Sequence, residues 1–194
     1  MKIVEITVTL ENIPEISRTL LVPAELRLDC LHLTLQNAMG WENCTLYSFE
    51  TRDTRWIEED KSIKDTDLPV NKGTLADAIA HAQGNPIIYI HIYDFGDDWI
   101  HHITIGASTS AEADTVYPKL IKGSGACPPE DIGGVPGYYD FFEAMSDPKH
   151  PNHEELKDWY GEVFSPEINI LQLQVMVDRM ARRWQPRKKK QKEQ

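Results

Sequence analysis

Cysteine is scarce in this chain: Cys30, Cys44 and Cys127 are three in number, far apart, and without a CxxC pair. That excludes a disulfide framework and a thiolate zinc knuckle, and it suits a reducing compartment with the thiols as small core residues. Long apolar runs are also missing. The run from Ile87 is interrupted at His91, well short of the ~20 residues a membrane-spanning helix requires. The opening MKIVEITVTL holds no separate apolar leader or small-residue cleavage site, so secretion is not indicated and the cytoplasm is the expected location. No glycine-rich phosphate loop followed by Lys-Ser/Thr occurs, and Gly123-Ser124-Gly125 lacks the nucleophile-elbow spacing. The triplet Asp94-Phe95-Gly96 stands without the other segments of a protein kinase.

What is present describes a globular protein with uneven charge. The hydrophobic fraction of 41% and charged fraction of 26% can support a full core. The net charge is −11, yet from Arg179 onward eight cations face Glu193 alone, a local +7 that leaves −18 on residues 1–178. A body this acidic repels a nucleic-acid backbone, whereas Arg182, Arg183, Arg187, Lys188, Lys189 and Lys190 are candidates for contacting one. The simpler reading of these cations is a solvated terminus.

Hydrophobic periodicity predicts an α+β fold. Val4, Ile6, Val8 and Leu10 alternate with polar residues as a half-buried strand, and Arg18–Val22 reads as its hairpin partner, stopped by Pro23. Leu31, Leu35, Ala38 and Met39 form a helical stripe, with Asp29 as N-cap and Gly40 closing the helix. A strand over 45–50 follows, and then a charged surface excursion over 51–73. A short helix begins at Thr74, with Asp77 completing a capping box and Gly84 as the stop. Residues 87–93 read as a central strand covered on both faces, 94–98 as a turn, and 99–105 as the return strand. Beyond Gly106 the prolines and glycines mark a loop-rich half with short helices near 138–145, 154–159 and 169–184. The expectation is one domain over 1–184, a mixed β-sheet with an N-terminal hairpin and packed helix. The helical C-terminal half shares its core, and 185–194 is a basic, disordered tail.

Four segments together resemble a known family: LDCLHLTLQNAMGW at 28–41, YDFGDDWIHHITI at 93–105, YPKLIKGSGACPPEDIGGVPGYYDF at 117–141 and HPNHEELKDWYGEVFSPE at 150–167. The set is similar to the plasmid pRiA4b Orf-three-like family, some members of which carry insertion-element passenger or resolvase labels. The resemblance implies a β-grasp-like α+β domain associated with mobile genetic elements. It does not bring recombinase chemistry, because neither a nucleophilic Ser on a basic surface nor a helix-turn-helix reader is found. The chain departs from the family at Thr45-Leu46-Tyr47, where members often read His-Leu-His, and at Ser17-Arg18, where they often read Trp-Arg.

Two constellations are candidates for a site. In the hairpin, Asp94, Asp97, Trp99 and His101 gather carboxylates, an imidazole and an aromatic, and alternation puts Asp97, Trp99 and His101 on one face. Asp94, Asp97 and His101 are the residues that would hold a divalent metal if one binds. If Tyr93 sits opposite Trp99, His91 faces His101 across the strands. The second constellation is Pro128-Pro129-Glu130-Asp131-Ile132-Gly133-Gly134, whose stiff entry and permissive exit suit a loop that aims Glu130 or Asp131 at the hairpin. The simpler readings are a turn, a hydrogen-bonded core histidine and an acidic helix cap. His150 and His153 lack the i, i+4 spacing of a zinc helix, and His153 or Asn152 reads better as an N-cap.

The functional expectation is therefore a non-catalytic binding or accessory domain, with no cofactor required, that takes a protein or small polar ligand near the hairpin and the PPED loop. The alternative is a metal-dependent hydrolase using the carboxylate/His set. Nucleic-acid binding through the tail stands third.

Overall fold

Two strand periodicities and one helical stripe generate the architecture. The computed structural model describes residues 1–42, 46–58, 64, 66–93, 97–161 and 164–185, and for 91–93 and 97 the backbone alone. The elements are β1 (Lys2–Leu10), β2 (Ile13–Pro23), α1 (Leu28–Met39), β3 (Leu46–Glu50), β4 (Arg55–Ile57), β5 (Leu68–Pro69), α2 (Leu75–Ala82), β6 (Ile87–Tyr93), β7 (Asp97–Ser110), β8 (Lys119–Ser124), α3 (Gly134–Ser146), α4 (His153–Tyr160) and α5 (Ile170–Arg183). The strands form one mixed sheet in the order β5-β4-β3-β6-β7-β1-β2-β8. All neighbours are antiparallel except β4 and β5. This is the expected α+β class.

The core lies on one face of that sheet. Val4, Ile6, Val8 and Leu10 are buried together with Leu20, Val22, Tyr89, Trp99, His101 and Ile103 from neighbouring strands. From the helices, Leu28, Leu31 and Leu35 of α1 and Leu173, Val177 and Met180 of α5 join the same cluster. The other face keeps Ile88, Ile90, Ile100 and His102 half-buried, so β6 is covered on one side and not on two.

Several local readings hold. The capping box at Thr74 and Asp77 is complete, and α1 ends on Gly40 with φ 86°. Asn169 caps α5 through Gln172 N, as its position before the stripe requires. Asp29 instead falls inside the first turn of α1, with Arg27 in the N-cap position.

Two stretches read as irregular belong to the sheet. Within 51–73, β4 and β5 extend one edge and bury Trp56, Ile57 and Val70. Beyond Gly106, β7 continues to Ser110, and β8 pairs with β2 at the other edge. The register of β1 on β7 shifts between Val4 and Ile6, where Gly106 and Ala107 lie opposite Glu5. This bulge bends the long strand, and the break in alternation there hides its continuation.

Arg18 occupies a core position of β2, opposite Val8 on one side and Gly123 on the other, and is fully buried. Its guanidinium donates to Ala38 O, Ser17 O and Ser124 O, each at 2.7 Å, and to Cys127 Sγ at 3.4 Å. Burial lowers its pKa from the ordinary arginine value, with a smaller effect in the other direction from Cys127. Gly123 is required beside it, since a Cβ there would lie 3.1 Å from Arg18 Cδ and 2.8 Å from Ile168 Cδ1.

Two stability changes follow. Arg18→Met keeps the aliphatic volume but strands three carbonyls, each costing ~1–3 kcal/mol if left unsatisfied. The urea midpoint should fall by the equivalent of about 2–4 kcal/mol, and an unshifted midpoint would refute the clamp. Gly73→Ala should also destabilise, by about 1–3 kcal/mol, because the added Cβ would overlap the buried Trp56 indole; the same titration measures it.

Candidate binding site

The polar residues on the buried stripe of α1 open the way to the site. Positions 28, 31, 32, 35, 36 and 39 all face the sheet, and two of them are His32 and Gln36. Polar side chains at core positions must find partners there. Tyr89 of β6, itself fully buried, supplies one: its hydroxyl shares a 2.7 Å hydrogen bond with His32 Nδ1 and accepts from Gln36 Nε2 at 3.0 Å. Burial pushes the Tyr89 phenol well above its ordinary pKa, so it remains a neutral hydroxyl.

Strand register then sets the aromatic rows beneath α1. One row runs Phe49, Tyr89, His101 and Leu10; in the next, the backbone of residue 91 pairs with Tyr47 on one side and Trp99 on the other. Tyr93 pairs with Asp97, not Trp99, so the turn is tighter than the register that would set His91 against His101. His91 lies opposite Trp99, and His101 opposite Tyr89. The Tyr47 ring stacks on His32, with centroids 3.5 Å apart and planes within 4°.

The hairpin candidates are divided by this geometry. Trp99 and His101 are buried core residues, not surface groups. His101 packs edge-on against Trp41 at 5.5 Å and tilted against Tyr89 at 5.0 Å, with Nδ1 3.3 Å from Tyr89 O. Asp94 and the Asp97 side chain lie outside the described residues, as does the metal set that depends on them. Among the described residues no three metal-ligating side chains converge.

The PPED loop does approach the hairpin strands, through a tryptophan. Trp41 lies 5.9 Å from Trp99 between ring centroids and donates from Nε1 to Pro128 O at 2.9 Å. Glu130 accepts a hydrogen bond from Glu42 N beside it. Asp131 is exposed with φ 60°, and Gly133 takes the N-cap position of α3 without a side-chain cap. The loop therefore fastens the α1–β3 connection. Farther away, His153 begins α4 and donates from Nδ1 to Ala144 O at 2.8 Å, joining α4 to α3. Asn152 takes the N-cap position there, again without a side-chain bond. Arg182 is exposed and paired with Asp178 at 2.7 Å; Arg183 is exposed, and Arg187 to Lys190 lie outside the described residues.

Beside the Tyr47 end of the aromatic row is a polar pocket lined by Asp29, Tyr47, Glu58, Pro69, Val70 and Asn71, with a volume of about 280 Å³. Tyr47 is only 5% exposed, yet it lines this pocket, and its hydroxyl has no hydrogen-bond partner among the described residues. Burial raises the Tyr47 pKa, and the charges of Glu58 and Asp29 push it further in the same direction. Partial burial pushes the Asp29 carboxyl up, but hydrogen bonds and charge from Arg27, together with Cys30 N–H, bring it below the ordinary value. Arg27 and Asp29 meet at 2.6 Å, with the arginine itself exposed. The pocket thus presents two carboxylates, a neutral phenol and an amide.

Residues 2–172 match the family model described as Plasmid pRiA4b ORF-3-like protein. The chain belongs to this family. It is 38% identical over 185 residues to "Uncharacterized protein y4hQ" of Sinorhizobium fredii, with 94% of each chain covered. It also resembles the crystal structure of a protein of unknown function, MM3350 from Methanosarcina mazei Go1, at TM-score 0.77 and 28% identity, covering 86% of this chain and 94% of that one.

Asp29, His32, Gln36, Tyr47, Glu58 and Tyr89 escape the sequence reading as site residues. The signal that could have found them was a histidine and a glutamine at apolar positions of the α1 stripe. Tyr89→Phe should lower stability by ~1–3 kcal/mol, because two buried side chains lose their common partner. Equilibrium unfolding measures this loss, and equal stability of the two proteins would show that the hydroxyl carries none of it.

Proposed function

We propose that the protein is a non-catalytic binding or accessory domain whose ligand seat is the pocket between the start of α1, β3 and the β5 turn. The supporting observation is the largely buried Tyr47, which lines one cavity with Asp29, Glu58 and Asn71 and whose hydroxyl has no partner among the described residues. Acceptors dominate such a lining. The Glu58 carboxylate, the phenol oxygen and the amide oxygen, beside an Asp29 that Arg27 already pairs, complement a donor-rich cation, so the ligand class is a small ammonium or guanidinium group, free or on a peptide side chain. The volume, near the lower limit for small-molecule pockets, argues for one such group and against a large cofactor.

The architecture supports this reading. The Tyr47 ring is held flat against His32, which is hydrogen-bonded to Tyr89, so the phenol is oriented before any ligand arrives. The lining residues of this seat come from α1, β3 and the β4–β5 side of the sheet and not from the 93–105 hairpin or the PPED loop, where the sequence had suggested a ligand. The plasmid named in the family description supports service to mobile genetic elements as the setting.

Calorimetric titration of the full chain with arginine amide tests the seat, with acetate as the anionic control. Glu58→Gln should weaken arginine amide at least about fivefold, since a charge-assisted hydrogen bond is worth about 1.5–3 kcal/mol. Acetate should not bind. Absence of arginine amide binding, or equal affinity in the variant, would remove the proposal.

A further inference from the structure

Another cavity, of about 200 Å³, lies between α3 and the start of β2. Tyr138, Tyr139 and Phe142 line it from the helix, and Glu15 lines it from the strand. It shares no lining residue with the Asp29–Tyr47–Glu58 pocket. We propose that this cavity is an aromatic cage for a quaternary ammonium group, with the Glu15 carboxylate as its counter-charge. The cage stands independently of the binding seat described above.

Helical spacing builds the walls. Phe142 follows Tyr138 by one turn and Tyr139 by slightly less, so the three side chains share a face of α3. Their rings meet at angles. Tyr138 lies 5.7 Å from Tyr139 with planes at 56°, and 6.2 Å from Phe142 with planes at 51°. Tyr139 is 45% exposed, yet its hydroxyl donates to Asn12 O at 2.9 Å, which fixes the ring against the β1–β2 turn without burial. Phe142 packs edge-on against Phe164 at 5.9 Å. Pro166, which also lines the cavity, accepts at its carbonyl from Ala126 N at 2.9 Å. These contacts set the walls before a ligand arrives.

The chemistry of the walls selects the ligand. Aromatic faces are electron-rich and attract a cation, and a quaternary nitrogen has no N–H that needs an acceptor. An ordinary ammonium would leave donors against rings and the buried Ile13 and Ile16, which is costly. Glu15 is exposed, and its carboxylate has no ion-pair partner among the described residues. Burial raises the Tyr138 pKa, with Cys127 and the Glu15 carboxylate adding to it, so a fixed negative charge stands beside a neutral phenol. Asp140 and Glu143, exposed on α3, and the −18 carried by residues 1–178 draw cations toward this surface. A cavity of roughly 150 Å³ holds a benzene-sized molecule, so this one suits a trimethylammonium head and little more.

Nuclear magnetic resonance titration of the full chain with choline tests the cage, with neohexyl alcohol as the uncharged isostere. Choline should bind with its methyl resonance moved upfield by the rings, and neohexyl alcohol at least about fivefold more weakly. Tyr139→Leu, at an exposed position, should weaken choline at least about fivefold, and Glu15→Gln about threefold. Glu58→Gln should leave choline affinity unchanged. N-acetyl-trimethyllysine amide separates the sources: tighter binding than choline supports a methylated protein side chain as the ligand, and weaker binding supports a free small molecule. Equal affinity for choline and neohexyl alcohol overturns the cage, as does equal choline affinity in the parent and Tyr139→Leu. Absence of choline binding overturns it too, and loss of choline binding in Glu58→Gln moves the cation to the other pocket. Failure of arginine amide to bind removes only the Asp29–Tyr47–Glu58 seat.

Discussion

A buried guanidinium that faces carbonyls is the constraint around which the rest of the fold is arranged. Taking a charge out of water costs several kcal/mol even after relaxation. Arg18 meets that cost with Ala38 O, Ser17 O and Ser124 O. Ala38 O belongs to the last turn of α1, where carbonyls lack helical partners and the helix dipole is negative. One side chain therefore satisfies a helix end, an edge strand and its own strand, and it also reaches Cys127 at the start of the PPED loop. Cys127 is held as a neutral thiol, its pKa pushed up to about 11 by burial and only partly offset by the nearby arginine.

The placement of α1 by this clamp determines what its buried stripe can meet. His32 and Gln36 come down on Tyr89, and Tyr47 lies flat on His32. After Gly40 the chain presents Trp41 to Trp99 and His101, and Trp41 in turn anchors Pro128. Hydrogen bonding inside a low-dielectric core is costly to break and specific in geometry. The same packing holds Tyr47 in the pocket that Asp29 also lines.

Much of the fold was legible because local rules act over few residues. The alternation of β1, the capping box at Thr74, the Gly40 stop and the Asn169 cap each follow from side chains within one turn or one strand. The hairpin was legible in position but not in register, since a shift of two residues preserves every inward-facing side chain. Strand β4 and the edge strands β5 and β8 were not legible. The first two are only three and two residues long, and β8 is broken by Lys and Gly residues, so period and propensity had too little to act on.

The sequence by itself determined the alternation of faces, the helix ends, the acidic body with its basic terminus, and the presence of polar residues in the hairpin and the PPED loop. Tertiary structure alone decided that Trp99 and His101 belong to the core, that Glu130 caps a backbone amide, and that Asp29, Tyr47 and Glu58 share a pocket. The physical reason is range. A cap or a strand face is set by neighbours in sequence, whereas burial and convergence depend on strand register and on where Arg18 holds α1, both fixed by partners on other strands and in distant loops.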